Sequence, residues 1–225
     1  MKIHRFFVTK LPVATESFEI DDTALVRHMK SILALAPKEL FELCDGKGTL
    51  VRASIMEYTK NAVSCMIQEI IHAPETLRPV TAYIAILKRD NFELIVQKLT
   101  EIGITTIVPV ITSHTIKTAL NIRRLQTISK EAAELAGRTQ LPKIAEPIDF
   151  KTALKSIPPQ TYFFDGRSGS AGIAHAQAFF IGPEGGWTEA EITMAHDAGC
   201  ISSSLGPLTL RGETAAIIAG YLSLQ

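Results

Sequence analysis

The chain has 225 residues, 46% hydrophobic and 20% charged, with 23 basic side chains balancing 23 acidic ones. That composition describes a globular protein of one large domain or two small ones, and zero net charge gives no bulk attraction toward nucleic acid. Cys44, Cys65 and Cys200 are odd in number and lack CxxC spacing, which excludes a disulfide framework and a zinc site and points to buried free thiols. None of the histidines has metal-ligand spacing, so no metal is expected. No apolar run reaches the length of a membrane span, and the N-terminus lacks the apolar core and small-residue cleavage site of a signal peptide. A cytoplasmic protein is expected.

Residues 1–72 carry mostly strand signals. Arg5-Phe6-Phe7-Val8 is a short strand, and Asp45-Gly46-Lys47-Gly48 separates two apolar runs as a hairpin turn. A second turn at Tyr58-Thr59-Lys60-Asn61 leads into another run starting at Ala62. Between the first strand and these hairpins, Leu25, Met29, Ile32 and Leu33 have helical spacing over Asp22 to Leu35, with Pro37 as the stop. These elements suggest a small β-barrel with one helix. Residues 73–79, with two prolines and no periodicity, read as a linker.

The rhythm changes over residues 80–225. Val80 to Leu87 is a continuous apolar strand, and Asp90 with Glu93 reads as a capping box opening a helix. Its apolar face is Phe92, Ile95, Val96, Leu99 and Ile102, and Gly103 stops it. A second buried strand follows at Ile104 to Ile111. Asn121 then caps a helix with Ile122, Leu125, Ile128 and Leu135 on one face and Gly137 at its end. Three further strands lie at Thr161 to Asp165, Ala178 to Ile181 and Ile201 to Leu205, and Thr188 with Glu191 gives another capping box. Apolar strands alternating with helices make an α/β domain with a parallel sheet covered on both faces.

The strand at 178–181 runs into Gly182-Pro183-Glu184-Gly185-Gly186-Trp187, and the one ending near Leu205 runs into Gly206-Pro207-Leu208-Thr209-Leu210-Arg211-Gly212-Glu213. Each turn opens a helix, so each offers free N–H groups to a ligand. Neither turn is a phosphate loop or a dinucleotide fingerprint, because the lysine and the spacing are missing. Arg211 and Glu213 at a helix mouth fit a cap and ion pair, or a ligand site. Arg211 is the only Lys or Arg after Arg167, which favours the ligand site.

These two C-terminal motifs resemble the cofactor site of the SPOUT methyltransferases, and more narrowly the RsmE family, which methylates N3 of a uridine in small-subunit ribosomal RNA. The likeness extends along the chain. His4 to Val8, His28 and Phe41 to Gly48 are similar to the family's N-terminal PUA-like barrel. Gln97 to Ile104 resembles its helix motif, and Arg124, Ile128, Glu131, Ala132, Glu134, Gly137, Arg138 and Pro142 fit its spacing.

The resemblance implies a knotted (SPOUT) parallel-sheet domain over 80–225, preceded by an RNA-binding PUA-like barrel over 1–72. It implies S-adenosyl-L-methionine as cofactor, held by Ile181, Gly182, Pro183, Gly186, Leu205, Gly206, Leu210 and Arg211, with Phe164 and Asp165 as a further wall. It implies a homodimer formed through the C-terminal domain, whose last helix is apolar nearly all round. Arg211 is the candidate for stabilising charge on the uracil carbonyls, and Glu213 or Glu184 for accepting the N3 proton. A structural role for Glu213 stays open beside the catalytic one. The partner implied is ribosomal RNA or the small ribosomal subunit. Arg5, Arg27, His28 and Lys30 on the barrel, with Lys2, and Arg124 and Arg138 in a basic strip with Lys117, Arg123, Lys130 and Lys143, are its candidate contacts.

Three stretches depart from the family. Ala34 stands where a V-L-R-like segment has Arg, Ser113-His114-Thr115 replaces Glu-Arg-Ser, and Leu135 replaces Gln. All lie outside the two turns, on surfaces expected to meet RNA or the partner subunit. They allow a related enzyme with a drifted RNA target. A non-catalytic RNA-binding assembly protein is opposed by the intact Arg211-Gly212-Glu213-Thr214. An ordinary nucleotide-binding α/β enzyme is opposed by the barrel and the missing phosphate loop.

Overall fold

The computed structural model describes residues 3–12, 16–72, 77–116, 119–166, 173 and 175–225. Lys2, Lys117 and residues 73–76 of the expected linker lie outside them. The chain divides into two compact units, Met1–Thr76 with Ala133–Leu141, and Leu77–Ala132 with Pro142–Gln225.

In the first unit, β1 (His4–Phe7), β2 (Ser17–Ile20), β3 (Leu40–Cys44), β4 (Thr49–Tyr58) and β5 (Val63–His72) form one sheet in the order β1-β3-β4-β5-β2. β1 runs parallel to β3, and the other pairs are antiparallel. The expected hairpin turn joins β3 to β4. The Asp45 carboxylate accepts from Lys47 N and Thr49 N, while Gly46 and Gly48 take positive φ angles of 73° and 104°. Phe41, Leu43, Ala53, Ile55, Val63 and Cys65 pack as a core with Phe6 and Met29. β2 has no counterpart in the sequence reading. It is a four-residue edge strand with one buried side chain, too short to show a period.

The first helix differs from expectation. α1 (Thr23–Arg27) is capped by Asp22, whose carboxylate accepts from Ala24 N and Leu25 N. It then widens into a π-helical turn, His28–Ile32, and Ala34 breaks it at φ 52°, before Pro37. The inserted register rotates Ile32 outward to 66% exposure, while Met29 is fully buried.

The second unit contains β6 (Thr81–Ala85), α2 (Arg89–Ile102), β7 (Thr106–Ile111), α3 (Ile122–Ala136) up to Ala132, β8 (Lys143–Ile144), β9 (Ile148–Asp149) and α4 (Phe150–Leu154), and residues 133–136 of α3 fall in the first unit. They are followed by β10 (Thr161–Phe164), β11 (Ala178–Ile181), α5 (Glu189–Asp197), β12 (Ile201–Ser203) and α6 (Gly212–Ser223). The sheet order is β12-β10-β11-β6-β7-β8, with β9 also on β7, and every pair is parallel. Pro109, which has no N–H to give, falls between the residues of β7 that pair β8 and β9.

Alternate strand residues point to opposite faces, and both are buried. Ile84, Phe179 and Ile181 pack with Phe92, Ile95, Val96 and Leu99 of α2 and with Ala216 and Ala219 of α6. Tyr83, Val108, Val110, Phe163 and Phe180 pack with Phe150, Trp187 and Ala195. The three cysteines are buried thiols outside any disulfide, and burial pushes the Cys65 and Cys200 thiols up to about 12 and about 11.

Two helix details correct the sequence reading. Asp90 does not cap α2. The N-cap is Lys88, without a side-chain bond, and the Glu93 carboxylate is engaged by Arg89 and Arg124. On α3 the buried row is Leu125, Ser129, Ala132 and Ala133, which leaves Leu135 67% exposed.

Candidate active site

The C-terminal ends of β10, β11 and β12 open into one cavity of about 600 Å³. Such a volume takes a nucleoside-sized ligand. Its walls are Phe164 to Gly166 after β10, most of the turn Gly182 to Trp187 after β11, and Ser204 to Glu213 after β12. All ten sequence candidates for cofactor contact line it, as do Glu184 and Glu213.

Packing explains why the first turn needs its glycines. A Cβ on Gly182 would stand 2.8 Å from the Trp187 Nε1 and 2.9 Å from its Cε2. Gly186 takes a left-handed φ of 69°, with open space where a Cβ would project. Trp187 is buried, and its indole N–H donates to the Phe164 carbonyl at 2.9 Å, which joins the first turn to the end of β10. Below it, Trp187 packs on Phe163 and Phe150 with ring centroids 4.6 and 5.0 Å apart.

Thr188 and Glu191 form the expected capping box at the start of α5. The other oxygen of the buried Glu191 carboxylate accepts from Ser113 N at 2.8 Å. His114 Nδ1 lies 2.9 Å from the Gly186 carbonyl oxygen. Ser113-His114-Thr115 is therefore remote in sequence from the first turn but packed against it in space.

The second turn delivers Arg211 and Glu213. Gly212 begins α6, and a Cβ there would lie 2.8 Å from Leu87 Cδ1 and 3.6 Å from the Gly182 carbonyl oxygen. This close approach brings the helix mouth against the first turn. Arg211 is the N-cap by backbone alone, with no side-chain capping bond. Its exposed guanidinium has no ion-pair partner among the described residues. The two carboxylates differ. Glu184 reaches the backbone N–H of Lys88 at 3.4 Å, whereas the side chain of half-buried Glu213 has no hydrogen bond or ion pair with another described residue.

The chain is similar to known proteins in both sequence and fold. Residues 74–223 match the family model described as an RNA methyltransferase domain. The chain is 29% identical over 97% of its length to the ribosomal RNA small subunit methyltransferase E of Rickettsia conorii, covering 94% of that protein. It is 30% identical over 88% of its length to the namesake from Synechocystis, covering 69% of that protein. The chain belongs to that family. Its fold superposes on the crystal structure of a ribosomal RNA small subunit methyltransferase E from Neisseria gonorrhoeae bound to S-adenosyl methionine. The TM-score there is 0.86 at 29% identity, over 97% of this chain and 95% of the other.

The basic residues expected to meet RNA are placed unequally. Arg5 is ion-paired with Glu42 at 2.7 Å and donates to the Gly137 carbonyl. Arg138 is buried. Arg124 is half-exposed but donates twice to Glu93, at 2.6 and 2.7 Å. Arg27, His28 and Lys30 are exposed around the π-helical turn, with the Lys30 ammonium 5.3 Å from the centre of the Tyr58 ring. Lys88 and Asn91, at the start of α2, also line the cavity. Nothing in their local sequence marks them, because their place depends on the parallel pairing of β6 with β11. Among the described residues no cluster of His, Cys, Asp or Glu could hold a metal, and no helix is long and apolar enough to cross a membrane.

Proposed function

We propose that this protein transfers a methyl group from S-adenosyl-L-methionine to N3 of a uridine in small-subunit (16S) ribosomal RNA. One observation carries this reading: two glycine-bearing turns close on a single cavity whose lining includes Arg211 and Glu213, neither of them ion-paired among the described residues. The fit to the cofactor rests on the same walls. Gly182, Gly186 and Gly206 line the cavity, and Gly186 and Gly206 have open space where a Cβ would project, as a ligand held by backbone groups requires. Ile181, Pro183, Leu205 and Leu210 supply apolar contact, and Phe164 and Asp165 the third wall.

When bound, the cofactor supplies an electrophilic methyl group on a sulfonium. The chain's own residues handle charge and proton. The imide nitrogen of uracil is a poor nucleophile until its proton leaves, and negative charge then spreads to the flanking carbonyl oxygens. Arg211 stabilises that charge as a cation aimed at the oxygens. Glu213 accepts the proton. We favour it over Glu184 because the latter already reaches the Lys88 N–H.

On this reading residues 80–225 are the knotted catalytic domain, 73–79 a linker and 1–72 an RNA-binding PUA-like barrel that presents Arg27, His28 and Lys30. The protein works in the cytoplasm as a homodimer joined through the C-terminal domain. In support, α6 exposes Tyr221 by 55% and Leu222 by 39%, an apolar surface on an otherwise packed helix. Calorimetric titration with S-adenosylhomocysteine tests the cofactor assignment, and saturable micromolar binding is expected. Absence of heat across the titration would remove it.

A further inference from the structure

Resting on the cofactor assignment above, we infer that His114 is a positioning residue for the cofactor turn, holding it in its ligand-ready shape from the side away from the cavity. His114 Nδ1 stands 2.9 Å from the carbonyl oxygen of Gly186, a residue that lines the cavity. A carbonyl oxygen only accepts, so Nδ1 carries the hydrogen. The imidazole also lies flush against the neighbouring residue. A Cβ on Gly185 would meet His114 Cβ and Cγ at 3.2 Å and Nδ1 at 3.3 Å.

This contact accounts for Gly185, which takes no left-handed φ. Gly182 makes room for Trp187 and Gly186 turns the chain, while Gly185 makes room for His114. The segment that carries His114 is itself fixed. The buried Glu191 carboxylate takes Ser113 N on one oxygen and Thr188 N and Oγ1 on the other, at 2.8, 2.8 and 2.9 Å. Thr112 and Thr115 close the same loop by bonds of 2.9 Å. The end of β7 is thus a brace on the turn. On this inference His114 works on the cofactor rather than on RNA.

The test uses the full chain. S-adenosylhomocysteine is titrated calorimetrically into the wild type, His114→Ala, His114→Asn, Gly185→Ala and the double variant, with thermal midpoints recorded alongside. His114→Ala should weaken binding about three- to tenfold, the effect of one lost hydrogen bond, with little change in midpoint because the side chain is exposed. His114→Asn, which places an amide N–H near the position of Nδ1, should recover most of the loss. Gly185→Ala should weaken binding alone, and the double variant should lose less than the sum, because the ring is no longer there to be displaced. In methyl-transfer assays KM for S-adenosylmethionine should rise, with kcat and KM for RNA unchanged.

Equal affinity of wild type and His114→Ala would overturn the inference and leave the cofactor assignment intact. So would a rise confined to KM for RNA, or strictly additive losses. A wild type that does not bind S-adenosylhomocysteine would overturn both.

Discussion

The indole N–H of Trp187 donates to the Phe164 carbonyl oxygen across 2.9 Å of protein interior, joining two walls of the cavity that lie 23 residues apart in the chain. Trp187→Phe keeps a ring on Phe150 and Phe163 but leaves that buried carbonyl without its donor. The expected loss is about 2–3 kcal/mol, read as a lower urea midpoint with an unchanged slope.

Trp187 is also the only tryptophan in the chain and lines the cavity. Its fluorescence therefore reports directly on occupancy. Titration with S-adenosylhomocysteine should change the emission saturably, with the same midpoint as the calorimetric isotherm. A flat emission trace beside a calorimetric transition would place the ligand elsewhere.

What the sequence showed of this site was local. Gly182 to Trp187 and Gly206 to Glu213 are contiguous motifs, and apolar strands flank them, so both turns and their juxtaposition could be read directly. The same holds for the Thr188–Glu191 box. His114, Lys88 and Asn91 were invisible as site residues, because only the strand order brings β6 beside β11 and β7 next to β6. Competition between partners defeated the Asp90–Glu93 box, since two guanidinium groups hold Glu93 more strongly than a backbone N–H would. The π-helical turn at His28–Ile32 defeated the simple 3.6-residue period and exposed Ile32. The short strands β2, β8 and β9 and the single-turn α4 were too brief to leave a pattern.

Hydrogen bonds first from Arg124 and then from Arg89 pull the Glu93 carboxyl down to about 2, against an ordinary value of 4.5. A carboxyl depressed in the folded state adds stability above 4.5 and loses it as the pH falls toward 2. The half-exposed Arg124 keeps the contribution small through solvent screening. Glu93→Gln should therefore lower the urea midpoint slightly at pH 7, and the difference from wild type should vanish toward pH 2. A difference that persists unchanged at the acid end would mean the carboxylate charge is not what matters.

Arg211 is the sharpest probe of the chemistry. Arg211→Ala should lower kcat by about 10²–10³, as removal of one preorganised charge stabiliser does. Affinity for S-adenosylhomocysteine should change only a few-fold. Equal losses in kcat and cofactor affinity would assign the guanidinium to the cofactor instead.

The most direct measurement is to map N3-methyluridine in 16S ribosomal RNA from cells deleted for this protein, with and without the chain restored. The mark should disappear on deletion, return with the wild type, and stay absent with Arg211→Ala. Persistence of the mark in the deleted cells would contradict the proposed function.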